Sequence, residues 1–427
     1  MRLVLLGILL GLMATILALS GQQPQPLAAR SALVLGFLLL SGFLVGELLV
    51  PARLPRISGY LLAGMLYGPA LLGIIDRPVL DSLSLINELA LVLIAYTAGA
   101  ELEAGNLLGR LRGILAITLV QSLLVFLAVG LAFWLLAGPL GLRPAPGPVL
   151  VAFIALVATA KSPATTVAVI VEMRARGPLT DTVLGCTVIK DILVLVGFSL
   201  LMTLGLPRAG GEAAGVTAAL RVVGLSLGLG LLCGLVMIGL LRLLRGNYLL
   251  FVLACALVTV HLAHTLHLND LLLAVTAGFV VSNFSPSGGV FRRGLEGAGA
   301  PVFLVFFCLA GAALDLTRLA AFWPAVLLFV LVRGGAIWAG TWLGAAAAGE
   351  GSALRHLAWP GFIGQAGVSL GLAATVRAAA GPAGALVADL VVGAVVVNQV
   401  IGPVLFRWAL VRSGEAAVAA EQSTRSD

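Results

Sequence analysis

Long apolar runs separated by short polar stretches extend from the first residues to about residue 406. Cutting at charges, prolines and glycines gives fourteen segments, most of them near the ~20 residues that a helix needs to cross a bilayer. The runs are continuous rather than alternating, which excludes a porin-like barrel and predicts helices that satisfy their own backbone in lipid. The predicted spans are 3–20, 31–50, 57–75, 84–100, 113–137, 148–171, 182–205, 216–241, 248–266, 269–283, 299–314, 322–347, 356–376 and 383–406.

The amino-acid composition agrees with an all-α polytopic membrane protein. Of the 427 residues, 61% are hydrophobic and 10% are charged, whereas soluble domains contain about 45–50% apolar and about 25% charged residues. A soluble enzyme, a nucleic-acid binder, a disordered protein and a disulfide scaffold are thereby excluded. The net charge of +7 comes from arginines at the ends of apolar runs, so it indicates no nucleic-acid partner.

The arginines are distributed unevenly between the two sides of the predicted bundle. Fifteen lie in one alternating set of loops and termini, and seven lie in the other set. Because positively charged loops stay in the cytoplasm, this bias predicts both termini on the cytoplasmic side of the plasma (inner) membrane. Residues 1–30 are either an extra N-terminal helix or a signal peptide, and residues 411–427 are expected to form a short cytoplasmic tail.

Four ionisable residues fall near the middle of apolar segments. They are Lys161, Lys190, Asp191 and Arg333, and the two lysines are the only ones in the chain. A charge at that depth costs about 2.5–3.5 kcal/mol on insertion scales, so such residues usually mark an ion or proton pathway. The alternative is a structural ion pair that joins two helices.

Two of the predicted segments carry signals for an interrupted helix. Pro163 lies inside the sixth segment, and the glycine-rich stretch 361–369 lies inside the thirteenth. The two segments are seven apart, so they run in opposite directions, which is typical of inverted repeats in secondary transporters. A proline kink that serves only packing is the alternative. Thr159, Ser162 and Gln365 either supply oxygen ligands at these interruptions or cap freed backbone groups.

Five stretches of the sequence resemble one known transporter family and follow its order. They are GYLLAG with YGP at residues 59–69, ELALVL with AGAEL at 88–102, LLA with AGF at 272–279, PVF with GAALD at 301–315, and GQAGV at 364–368. Together they resemble the monovalent cation:proton antiporter-2 family, which includes Kef-type and related sodium/proton exchangers. The similarity covers about residues 31–410.

The resemblance implies an exchanger domain over residues 31–410. Thirteen helices would form it, as two inverted six-helix repeats at about 31–205 and 248–410 joined by a linker helix at about 216–241. A core domain would contain two crossed broken helices, and a second domain would form a homodimer contact within membrane lipid.

The same resemblance implies alternating access, with a monovalent cation, Na⁺ or K⁺, exchanged for protons at an aspartate and without a cofactor. That aspartate maps to Asp191, which would bind the metal ion, and the family's opposing basic residue maps to Arg333. The sequence departs from the family pattern at Lys190, just before the aspartate, and at Lys161, in the first broken helix. Both departures add positive charge near the expected ion site.

This extra charge leaves several functions open. A lysine that pairs with Asp191 in the empty site would be displaced by an arriving metal ion, which is one form of cation exchange. The three basic residues against one carboxylate also allow a proton-coupled anion carrier, since the site sums to +2 when all four are charged. A third possibility is a membrane sensor with this fold and no transport activity.

Overall fold

The structure is a computed structural model that describes residues 2–20, 26–52, 54–136, 138–140, 147–205, 216–243, 248–314, 320, 322–365 and 367–416. The described residues form helices and turns and contain no strand. Asp315 of the fourth family motif and residues 417–427 of the predicted tail lie outside this part of the chain.

The helices are α1 (Arg2–Ser20), α2 (Leu27–Leu49), α3 (Arg56–Tyr67), α4 (Arg77–Ser82), α5 (Ser84–Glu101), α6 (Ala104–Gly109), α7 (Leu111–Leu136), α8 (Pro148–Thr159), α9 (Pro163–Met173), α10 (Pro178–Gly205), α11 (Val216–Leu243), α12 (Tyr248–Thr265), α13 (Asp270–Phe284), α14 (Gly288–Ala312), α15 (Trp323–Ala348), α16 (Ser352–Leu357) and α17 (Gly367–Ser413).

Nine helices of the described chain are long and apolar enough to span a membrane, and the bent helix α14 brings the number to ten. Each of the fourteen predicted segments overlaps a helix, and the last two overlap the two parts of α17, which meet at Gly381, a residue with a non-helical φ of 58°. The apolar part of α1, the helices α3 and α13, and the first part of α17 are shorter than a full span. The third segment was predicted to reach residue 75, and its helix ends at Tyr67 because Gly68-Pro69 turns the chain.

The eleventh predicted segment begins earlier than its hydropathy indicates. Helix α14 starts at Gly288 rather than residue 299 and bends by 47° around Pro301. Its first turns carry Arg292, whose guanidinium donates to the carbonyl of Ala100 at 2.8 Å and to Ser282 Oγ at 3.1 Å. Through Arg292, the charged first turns of α14 are hydrogen-bonded to the C-terminal ends of α5 and α13.

By their packing the helices form two groups. Helices α7–α10 and α15–α17 pack on one another and form what we call the core group. Helices α2, α3, α5 and α11–α14 form the flanking group. Small residues allow the closest approaches within the flanking group: a Cβ on Gly99 would collide with the carbonyl of Val275, and one on Gly278 with the carbonyl of Tyr96.

Candidate functional site

The first interruption divides the sixth predicted segment into α8 and α9. Helix α8 ends at Thr159, and α9 restarts at Pro163 after three residues without helical structure. Ser162 is the N-cap, since its Oγ accepts a hydrogen bond from the Thr165 amide at 3.1 Å. Proline at the first helical position needs no amide partner, so the local sequence encodes this restart.

The second interruption lies between a 3₁₀ turn at Trp359–Phe362 and α17. Its backbone meets that of the first interruption, where the Ser162 amide donates to the Gly364 carbonyl at 2.8 Å. On its other side Gly402 of α17 approaches so closely that a Cβ there would lie 2.7 Å from Gly364 Cα. The two interruptions are thus in direct contact inside the core group.

Arg333 of α15 holds both interruptions together. It is buried, with 1% of its side chain exposed, and donates to four backbone carbonyls. The carbonyls belong to the C-terminal ends of α8 and the 3₁₀ turn, which carry the negative ends of the helix dipoles. We call Arg333 and these acceptors the brace. The acceptors are Ala158 at 2.7 Å, Ile363 at 2.7 Å, Ala160 at 3.0 Å and Phe362 at 3.1 Å.

Thr159 and Gln365 also bind backbone at the interruptions. Thr159 Oγ1 donates to the Leu156 carbonyl at 2.7 Å, and Gln365 Nε2 donates to the Val157 carbonyl at 3.0 Å. The Gln365 Oε1 accepts from Asn398 Nδ2 at 2.8 Å. Together with Ser162, these side chains hydrogen-bond to groups at the ends of the broken helices.

The two lysines hydrogen-bond to neutral side chains rather than to the aspartate. Lys161 Nζ donates to Thr187 Oγ1, and Lys190 Nζ donates to Gln121 Oε1 on α7. Among the described residues neither lysine forms an ion pair with Asp191. The hypothesis that a lysine pairs with this carboxylate in the empty site is therefore wrong for this conformation. Adjacent residues on a helix point about 100° apart, which lets Lys190 reach α7 while Asp191 faces elsewhere.

Asp191 lines a small cavity between the core and flanking groups. The cavity has a volume of about 20 Å³, and Thr187 is the only other polar residue among those that line it. The other walls are apolar side chains of α5, α9, α10 and α13. Asp191 is 7% exposed, and within the described chain its carboxylate accepts no hydrogen bond. Asp191 is thus the one of the four deep ionisable residues that has no hydrogen-bond or ion-pair partner within the described chain.

A larger cavity of about 740 Å³ lies next to the small one. Both are lined by α5 and α9, where Ala168 lines the large cavity and Ala164 lines the small one. Four residues of helix, about 6 Å, therefore separate the two along α9. Charged residues line the large cavity, and they are Arg56, Glu101, Glu172, Arg174, Arg176, Arg292 and Glu296.

Three residues near the lysines were not identified from the sequence. Gln121 binds Lys190, Thr187 binds Lys161, and Phe362 lies under both ammonium groups. Gln121 had a signal, because it is a lone amide in the apolar run 113–137, and Thr187 precedes Asp191 by one helical turn. Phe362 had none, since an aromatic residue in an apolar segment is unremarkable.

The arrangement offers a single carboxylate for a cation. The described residues hold no cluster of three His, Cys, Asp or Glu side chains that could bind a resident metal ion. Thr159, Ser162 and Gln365 are hydrogen-bonded to backbone groups at the interruptions. The chemistry available in the cavity is therefore the protonation of Asp191 or its binding of a small cation.

Comparison with solved structures supports the fold. The sodium proton antiporter MjNhaP1 from Methanocaldococcus jannaschii at pH 8 superposes with a TM-score of 0.63, 17% sequence identity and coverage of 93% of this chain and 98% of that chain. An electron-microscopy structure of the same antiporter gives a TM-score of 0.69, 17% identity and coverage of 91% and 96%. At this level of identity the likeness concerns the fold alone.

Sequence comparison identifies the family. No match is found among curated proteins. The model of the family described as "Sodium/hydrogen exchanger, transmembrane" matches residues 34–412, which confirms the resemblance shown by the five motifs. Because the match covers most of the chain and nine apolar helices could cross a bilayer, the protein is a multi-pass membrane protein that belongs to the sodium/hydrogen exchanger family.

Proposed function

We propose that the protein exchanges a monovalent cation, Na⁺ or K⁺, for protons at Asp191 by alternating access. One observation carries the proposal. The Asp191 carboxylate is buried against apolar walls, and it is the deep ionisable group to which the described chain offers no bonded partner.

A buried carboxylate in that position favours two states. An unpaired charge is costly away from water, so the group either takes a proton and becomes neutral or binds a cation. Both ligands use the same oxygen atoms and therefore exclude each other, which is the requirement for exchange. The cavity of about 20 Å³ has room for roughly one water-sized species, which fits a cation that has lost its hydration shell.

The placement of the lysines is compatible with cation binding. A unit positive charge about 4 Å from a bound cation would cost about 4 kcal/mol at an effective dielectric constant of about 20. Lys161 and Lys190 instead donate to Thr187 and Gln121, and neither lies within ion-pair distance of Asp191. Neither lysine therefore occupies the carboxylate oxygens, which stay open to a proton or to an incoming cation.

The position of the cavity supports alternating access. Its walls come from α9 and α10 of the core group and from α5 and α13 of the flanking group. A shift of one group against the other would open Asp191 first to one side of the membrane and then to the other. The large cavity is lined by arginines of the loops that we predict to be cytoplasmic, so we assign it as the cytoplasmic approach.

The topology is part of the proposal. We infer fourteen spans with both termini in the cytoplasm of a plasma (inner) membrane protein. Within them, two inverted repeats at about 31–205 and 248–410 flank a linker helix at about 216–241, and residues 1–30 and 411–427 lie outside the exchanger domain. The family resemblance further supports a homodimer in membrane lipid.

A proton-coupled anion carrier is the second candidate, because Lys161, Lys190 and Arg333 lie within one buried region. Two features disfavour it. Four carbonyls already accept from Arg333, and the small cavity is lined by neither lysine. A membrane sensor without transport is the remaining alternative.

Proton movement in proteoliposomes separates the three candidates. A pH-sensitive dye reports the collapse of an imposed pH gradient after addition of Na⁺, K⁺, Li⁺ or choline salts, each with chloride and with gluconate. We expect proton movement that depends on the metal cation and is absent in Asp191→Asn. Dependence on the anion alone would support the carrier of anions, and no response to any salt would support the sensor.

A further inference from the structure

Phe362 lies where three buried basic side chains meet. It ends the 3₁₀ turn before the second interruption and is completely buried. Its ring centroid is 5.0 Å from Lys161 Nζ and 5.1 Å from Lys190 Nζ. Its carbonyl accepts from Arg333 at 3.1 Å. A single residue thus contacts every basic side chain of the buried region through either its ring or its backbone.

The lysines have few other stabilising contacts. An ammonium group carries three N–H donors, and in the described chain each lysine donates to one neutral oxygen, Thr187 Oγ1 or Gln121 Oε1. Both residues are 1% exposed, so bulk solvent hardly reaches them. The face of an aromatic ring attracts a cation within about 6 Å of its centroid, most strongly when both are desolvated. The ring of Phe362 meets this condition for both ammonium groups.

We propose that Phe362 is a positioning residue that holds the ammonium groups of Lys161 and Lys190 away from Asp191 and thereby sets the affinity of the small cavity for a cation. The inference rests on the proposed exchange at Asp191. Thr187, which binds Lys161, also lines the cavity together with Asp191. The Lys161 ammonium group therefore lies at the wall of this cavity, and the Lys190 ammonium group shares the ring of Phe362 with it.

A change that keeps the volume of Phe362 but removes its ring isolates this role. Phe362→Leu and Phe362→Met fill the space without attracting a cation, whereas Phe362→Tyr keeps the aromatic face. Phe133→Leu is the matched control, because Phe133 is equally buried on α7 and its ring packs on Phe329 rather than on a lysine. The methionine variant serves if the leucine variant does not fold.

The two lysines make a direct structural test possible. Protein labelled with ¹³C-lysine gives ε-methylene signals from two residues only, since the chain contains no other lysine. We expect ring-current shifts at both residues in the wild type, in Phe362→Tyr and in Phe133→Leu, and their loss in Phe362→Leu or Phe362→Met. Unchanged lysine signals in the variants without a ring would overturn the proposal, whether or not the protein transports a cation.

Transport kinetics test the consequence. In proteoliposomes we expect Phe362→Leu to raise the apparent KM for the cation about five- to tenfold, with the maximal rate within about twofold of wild type. Phe362→Tyr should restore the wild-type KM, and Phe133→Leu should not change it. In a Lys161→Met or Lys190→Met background the effect of Phe362→Leu should shrink, because interacting residues are not additive.

The outcomes separate the positioning role from the exchange itself. An unchanged KM in Phe362→Leu, or the same rise in a background without both lysines, would contradict the positioning role while Asp191→Asn still abolished exchange. Exchange that persisted in Asp191→Asn would instead contradict the proposed function. The NMR signals of the two lysines would still test whether the ring of Phe362 holds them.

Discussion

The brace around Arg333 and the small cavity around Asp191 show two opposite treatments of a buried charge. Arg333 directs four hydrogen bonds at the carbonyls of both interruptions. Asp191, on α10 in the same core group, faces apolar walls and accepts no hydrogen bond in the described chain. Removing the partner of a buried polar group costs stability, and so does a buried charge that has no partner. From this comparison we propose a structural role for Arg333 and an ion-exchange role for Asp191.

The largest expected effect on stability is at the brace. Arg333→Met leaves four buried carbonyls without their donor, and we expect the free energy of unfolding to fall by about 3–5 kcal/mol. Arg333→Lys should lose less stability than Arg333→Met but should remain less stable than wild type. A lysine keeps a positive charge, but it cannot reproduce the planar fork of donors. Thermal unfolding followed by size-exclusion chromatography measures the loss. If Arg333→Met were as stable as wild type, the conclusion that Arg333 stabilises the two interruptions would be wrong.

The contact between α17 and the second interruption gives the next effect. Gly402→Ala places a methyl group 2.7 Å from Gly364 Cα, and we expect destabilisation by about 1–3 kcal/mol from overpacking. Gly371→Ala is the control on the first part of α17, because its Cβ would meet no atom within 4 Å. Equal melting temperatures for the two alanine variants would mean that this close approach is not needed.

A smaller effect is expected at the amide pair that supports the second interruption. Asn398→Ala removes the donor to Gln365 Oε1, and leaving that oxygen unpaired should cost about 1–2 kcal/mol. The neighbouring Gln399 is the matched control, because its Nε2 has no hydrogen-bond partner in the described chain. Gln399→Met should therefore be close to neutral, and a reversed ranking of the two variants would contradict this assignment.

The smallest effect on stability is expected at Asp191, although its effect on transport is the largest. Asp191→Asn removes a charge from an apolar cavity without breaking a hydrogen bond of the described chain. We expect a melting temperature equal to or above that of wild type, since a neutral amide costs less to bury than an unpaired carboxylate. A loss comparable to that of Arg333→Met would show that Asp191 is a structural residue instead.

The sequence predicted the features that depend on local chemistry. Pro163 and the capping Ser162 encode the first interruption, and the glycines of 361–369 allow the second. The scarcity of charge in lipid singled out the four deep ionisable residues, all of which are buried. In each case the signal was a residue type that an uninterrupted apolar helix would exclude.

The sequence could not predict partners that depend on how the helices pack. It suggested a pair between a lysine and Asp191, but Lys190 reaches Gln121 on α7 instead. Nothing in the order of residues shows that Arg333 meets the ends of two half-helices, because those ends are brought together only by the fold. Hydropathy also placed the start of α14 too late, since it detects contact with lipid rather than helical structure.

Proton release on cation binding tests the assignment of Asp191 most directly. Purified protein in weakly buffered detergent solution is mixed with NaCl, KCl or choline chloride while a pH indicator records free protons. If a proton and a metal cation compete for the Asp191 carboxylate, the sodium or potassium salt acidifies the solution of the wild-type protein, choline does not, and Asp191→Asn shows no acidification with any salt. Equal acidification by wild type and Asp191→Asn would contradict the exchange of the two ions at this residue.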